Sequence, residues 1–111
     1  MATKAIPKEQ WEKYFDNLSK NLPAVEVQLE VVDKEIGDQV EVEYSPLLGL
    51  SYDPKDDVFE IQFRETHDHL IYHPKEIYVE EEDGKITTIE VVDKEGTRYI
   101  LRIKPAIPLP E

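Results

Sequence analysis

The run IYVEEEDGKITTIEVVDKEGTRYILRI, residues 77–103, decides the fold. Apolar side chains recur every second residue at Ile77 and Val79, at Ile89 and Val91, and at Tyr99, Leu101 and Ile103. That period marks strands with one buried and one wet face. Glu82-Asp83-Gly84 and Lys94-Glu95-Gly96 separate them, each with glycine third, as in a type I turn closed by a left-handed residue. Such a loop pairs Asp93 with Thr97, sets Val91 against Tyr99 and Ile89 against Leu101, and at Gly84 sets Ile77 against Ile89. A two-residue Asp83-Gly84 turn would oppose Ile77 to Glu90 and mix the faces, so the three-residue loop is expected. The run reads as a three-stranded antiparallel meander.

Upstream, the same period appears in Val25-Val27-Leu29-Val31, Val40-Val42-Tyr44 and Phe59-Ile61-Phe63, with a shorter piece at Leu70 and Tyr72. Before them the period changes. Trp11, Phe15, Leu18 and Leu22 fall on one helical face, Pro7 suits a first helical position, and Pro23 stops the helix. The expectation is an α+β fold: a helix over 7–22 packed on a curved antiparallel sheet of about six or seven strands over 24–104. A Pro-rich tail over 105–111 completes a single domain, 1–111, and is expected to wrap the domain or fray. The hexapeptide Glu-Val-Val-Asp-Lys-Glu occurs at 30–35 and 90–95 and reads as two similar strand ends entering similar turns.

Composition excludes more than it assigns. The formal net charge is −12 and no clustered Lys/Arg patch appears, so neither nucleic acid nor an anionic membrane is expected as a partner. The absence of cysteine removes disulfides, thiolate metal sites and cysteine nucleophiles. No apolar run has the length of a membrane span, the first residues lack a signal-peptide core, and a cytoplasmic location is expected.

Candidate chemistry centres on three histidines. His67 and His69 share a strand face and could hold a metal ion together, whereas His73 lies roughly 13 Å further along an extended strand. Catalytic zinc needs three protein ligands, and only these two can be placed. Asp53, Asp56 and Asp57 read as a polar loop lacking the glycine and glutamate of a calcium loop, and Glu80-Glu81-Glu82-Asp83 as a solvated hairpin tip. No nucleophile elbow or phosphate-cradling glycine loop is present, so no catalytic residue is assigned and no cofactor is expected.

The segments Leu47-Leu48-Gly49-Leu50-Ser51-Tyr52-Asp53-Pro54-Lys55-Asp56-Asp57, Asp68-His69-Leu70-Ile71, His73-Pro74 and Ile77-Tyr78-Val79 resemble a family of small bacterial proteins, domain of unknown function 5335. Ile6-Pro7-Lys8-Glu9-Gln10-Trp11 and Ile89-Glu90-Val91-Val92-Asp93 extend the likeness over nearly the whole chain, while His67 lies outside the pattern. The resemblance implies no activity and transfers no site residue. Function is therefore expected to be that of a non-enzymatic binding or interaction module, with a protein partner or a homodimer formed through an edge strand. The alternatives are a small metal-binding protein or metal-dependent enzyme using His67 and His69, and a ligand-binding β-fold. The last requires that Trp11 and Phe15 leave a gap between helix and sheet.

Overall fold

The computed structural model describes residues 2–109. In chain order the elements are β1 (Ala2–Ala5), α1 (Trp11–Lys20), β2 (Glu26–Asp33), β3 (Gly37–Asp53), β4 (Val58–Phe63), β5 (His69–Tyr72), β6 (Pro74–Glu82), β7 (Lys85–Asp93) and β8 (Arg98–Pro108). They form one antiparallel sheet in the order β1-β6-β7-β8-β2-β3-β4-β5. The helix-on-sheet α+β expectation holds, but the sheet has eight strands, not six or seven. The unforeseen strand is β1, which pairs with β6 from Ala2↔Glu81 to Ala5↔Tyr78. All four of its residues are exposed, so it carries no buried face and leaves no hydrophobic period to read.

The sheet curls strongly. β5 and β6 are eighth and second in the order, yet only His73 separates them in the chain. That single residue turns at φ +54°, in the left-handed region. α1 packs against β3, with Trp11, Phe15 and Leu18 buried. Trp11 meets Tyr52 edge-on at 5.0 Å, and Phe15 meets Phe59 edge-on at 4.9 Å. Both are within the preferred range for aromatic pairs. These rings fill the space between the body of the helix and the sheet, so Trp11 and Phe15 leave no gap there.

The helix is shorter than the expected 7–22. Pro7 is extended (φ −58°, ψ 141°) and leads into a 3-10 turn at Lys8–Gln10, and Asn21 has left helical geometry. Before the turn, the Trp11 indole Nε1–H donates to the Ile6 carbonyl at 2.7 Å, and the Ile6 amide donates to the Ile77 carbonyl at 2.9 Å. The helix entry is thus tied to β6.

The meander forms, with one register corrected. Val91↔Tyr99 and Ile89↔Leu101 pair as expected, but Ile77 opposes Val91 and Val79 opposes Ile89. The turn is a two-residue Asp83-Gly84 turn between Glu82 and Lys85, with φ of +53° and +74°. Two left-handed residues match the twist of a hairpin better than a type I turn does. A bulge then separates Glu81↔Ile86 from Glu80↔Thr88 and returns the apolar residues to one face. An inserted residue restored the parity that the tight turn alone would have lost.

The tail expectation also changes. β8 continues to Pro108, with Ile86↔Ile107 and Lys85↔Pro108 paired and Ile107 buried. Between Thr88↔Arg102 and Ile86↔Ile107 the strand bulges around a cis Lys104–Pro105 peptide. Pro105 therefore avoids the ladder position it could not serve. Pro110 and Glu111 lie outside the described residues.

The two hexapeptides do end in like turns. Asp33 Oδ1 accepts from the amides of Glu35 (2.8 Å) and Ile36 (3.2 Å), and Asp93 Oδ1 from those of Glu95 (2.9 Å) and Thr97 (3.0 Å). Because β2 and β8 are neighbours, the two tips lie side by side, and the Lys34 side chain runs over Gly96.

Candidate functional site

An apolar opening lies at the C-terminal end of α1, where Pro23 stops the helix and the chain turns into β2. One wall is Ser19, Leu22, Pro23, Ala24, Val25 and Glu26. The other is Pro46, Leu47 and Leu48 of β3, Arg64 just beyond β4, and Lys104 and Pro105 at the β8 bulge. Together they enclose a cleft of about 700 Å³. Its walls are held by backbone bonds from Leu47 N–H to the Val25 carbonyl and from Arg64 N–H to the Pro46 carbonyl, both 3.0 Å.

Ser19 anchors the helix at this end. Its hydroxyl donates to the Leu50 carbonyl at 2.6 Å and accepts from the Leu50 amide at 2.9 Å. Both backbone groups are satisfied by one side chain, so this serine is structural. The remaining surface is mainly apolar, with Leu48 47% exposed. Three charged residues line it: Glu26, Arg64 and Lys104. Lys104 Nζ lies 4.4 Å from the centre of the Tyr44 ring, a cation–π contact. Arg64 has no carboxylate partner among the described residues.

A second constellation joins the polar loop before β4 to the β5–β6 corner. The Tyr52 hydroxyl donates to Asp57 Oδ1 at 2.6 Å, His73 Nδ1 lies 3.2 Å from Asp57 Oδ2, and Lys8 Nζ lies 3.5 Å from Oδ1. The Tyr52 hydrogen bond foremost, then His73 and Lys8, holds the Asp57 carboxyl below the usual aspartate range. Burial, followed by the adjoining Asp57 charge, pushes Tyr52 up to about 12. The arrangement orients an imidazole, but the ring's one hydrogen bond among the described residues is to Asp57.

These residues are not neighbours in the chain. In the chain His73 stands with His67 and His69, and Asp57 with Asp53 and Asp56. In the fold, His67 sits exposed in the loop before β5. His69 opens β5, its ring edge-on to Phe63 at 6.1 Å. Among the described residues no group of three or more His, Asp or Glu side chains is placed to hold a metal ion. Asp53 instead closes its own loop, accepting from the amides of Lys55 (2.9 Å) and Asp56 (3.4 Å). Arg64, Lys104 and Ser19 carried no motif, because residues from four separate segments converge only after folding.

Among the described residues no helix is long and apolar enough to cross a membrane. No solved structure matches the chain. A match to a family of unknown function runs from residue 2 to residue 111, essentially the whole length, and the chain therefore belongs to DUF5335.

Proposed function

We propose that this domain is a non-enzymatic binding module that takes a small, largely apolar ligand in the cleft at the C-terminal end of α1. The observation that carries this reading is the cleft itself: about 700 Å³ with apolar walls, next to a core already filled by Trp11 and Phe15. Ligand sites commonly measure roughly 300–1,000 Å³ and are lined mostly by apolar groups with a few polar ones. The test is binding of a neutral solvatochromic probe, 1-N-phenylnaphthylamine, to the wild type and to Ala24→Trp, which places an indole in the cleft. Saturable fluorescence enhancement in the wild type, lost in the variant, supports the reading. No enhancement at accessible concentrations counts against it.

A second reading rests on β5, the last strand in the sheet order, where Leu70 and Tyr72 are 46% and 58% exposed. Exposed edge strands with apolar side chains favour pairing with another chain. A second copy is the simplest occupant. Sedimentation velocity over a wide concentration range tests this, with Tyr72→Lys expected to abolish any dimer.

A further inference from the structure

Resting on the cleft reading above, we propose that the ligand is an amphiphilic monocarboxylate, its chain against Leu22, Pro23, Ala24 and Leu48 and its carboxylate between Arg64 and Lys104. The chain has three arginines. Arg98 is paired with Glu90 and Arg102 with Glu30, while Arg64 alone has no carboxylate among the described residues. In a protein of net charge −12, with 25 acidic residues available, that exception falls at the rim of an apolar cleft of about 700 Å³. A guanidinium offers a planar pair of donors matched to a carboxylate. Lys104 supplies the second cation, resting on the Tyr44 ring and bonded to no acid among the described residues.

Glu26 fixes the charge of the ligand. Two cations and one carboxylate leave the rim with a single net positive charge, which complements one negative charge and opposes a second. A neutral amphiphile would leave that one positive charge uncompensated. A dianionic headgroup would face Glu26.

The experiment is titration calorimetry of the intact protein with dodecanoate, dodecanol and dodecyl phosphate, below their aggregation limits. The proteins are wild type, Arg64→Gln/Lys104→Gln and Ala24→Trp, each first shown by thermal unfolding to be folded. Dodecanoate should bind at least about tenfold tighter than dodecanol, a difference of about 1.4 kcal/mol. It should also bind tighter than dodecyl phosphate. The double Gln variant should equalise acid and alcohol, and Ala24→Trp should abolish both. Equal binding of acid and alcohol to the wild type overturns the carboxylate assignment and leaves the apolar-ligand reading standing. Tighter binding of the phosphate overturns the single-charge assignment. Binding of none of the three overturns both readings, and dodecanoate binding that survives Ala24→Trp places the site elsewhere and overturns the proposal.

Discussion

Asp57 and His73 are joined twice. The His73 amide donates to the Asp57 carbonyl at 2.9 Å, and the two side chains meet at 3.2 Å between Nδ1 and Oδ2. Both residues stand at left-handed φ, +52° and +54°. Non-glycine residues hold this conformation only where surrounding bonds over-determine it. Here those bonds tie the loop before β4 to the corner at which the sheet curls back on itself.

Asp57→Asn should destabilise the protein at neutral pH by about 1–2 kcal/mol, less than the roughly 1.5–3 kcal/mol of a buried hydrogen bond to a charged group because the Asp57 side chain is 32% exposed. Because the folded carboxyl titrates below its ordinary value near about 4, this stabilisation is complete above that pH and lost as pH falls through the folded value. Urea unfolding at several pH values should therefore show wild type and variant converging in acid. A difference that persists unchanged there would contradict the assignment.

Tyr52 and Tyr99 carry the opposite sign. Burial first, and then Asp57 for Tyr52 and Asp93 for Tyr99, raises both to about 12. A raised phenol stabilises the fold below the ordinary tyrosine value of about 10, and that contribution disappears as pH rises through 12. Spectrophotometric titration should show delayed phenol ionisation coinciding with loss of near-ultraviolet dichroism. Tyr52→Phe should also raise the Asp57 carboxyl toward its ordinary value, which carbon-detected NMR titration would read.

Ser19→Ala should cost about 2–3 kcal/mol, because both polar groups of Leu50 lose their partner at once. Leu50 is buried, 1% exposed, so water does not readily replace the hydroxyl. Chemical denaturation gives the cost. Amide exchange at Leu50 should accelerate more than at the ladder positions of β7.

The two tight hairpins should respond differently to alanine. At Gly84 (φ +74°) an added Cβ meets nothing within 4 Å, so Gly84→Ala should cost about 1 kcal/mol, from backbone conformation alone. At Gly96 (φ +87°) the Cβ would lie 3.1 Å from Lys34 Cε, and the lysine must also move. Asp83→Asn should be neutral or stabilising, since asparagine suits the first position of an Asn-Gly hairpin turn. Thermal unfolding of the three variants checks the order.

Period-two alternation made most strands from β2 onward legible, and helical spacing identified Trp11, Phe15 and Leu18 as one buried face. In β5, however, alternation marked the wrong face, since Leu70 and Tyr72 are exposed and Ile71 is buried. Each signal is local, since it needs only neighbouring residues to divide between water and core. β1 escaped notice because none of its side chains is buried. The register at Gly84 is not legible in the turn itself, because the bulge near Thr87 corrects parity outside it.

Alternation, proline placement and the absence of cysteine were enough by themselves to dictate a helix on an antiparallel sheet stabilised by packing and hydrogen bonds alone. Only the tertiary structure decided which polar residues meet. Asp57 finds His73 because the sheet curls at a one-residue corner, and Arg64 and Lys104 face one cleft because the end of β4 and the bulge of β8 flank the end of α1. The hydrophobic pattern of a strand specifies which face is buried, whereas long-range partners depend on strand order and curvature, which only the assembled core determines.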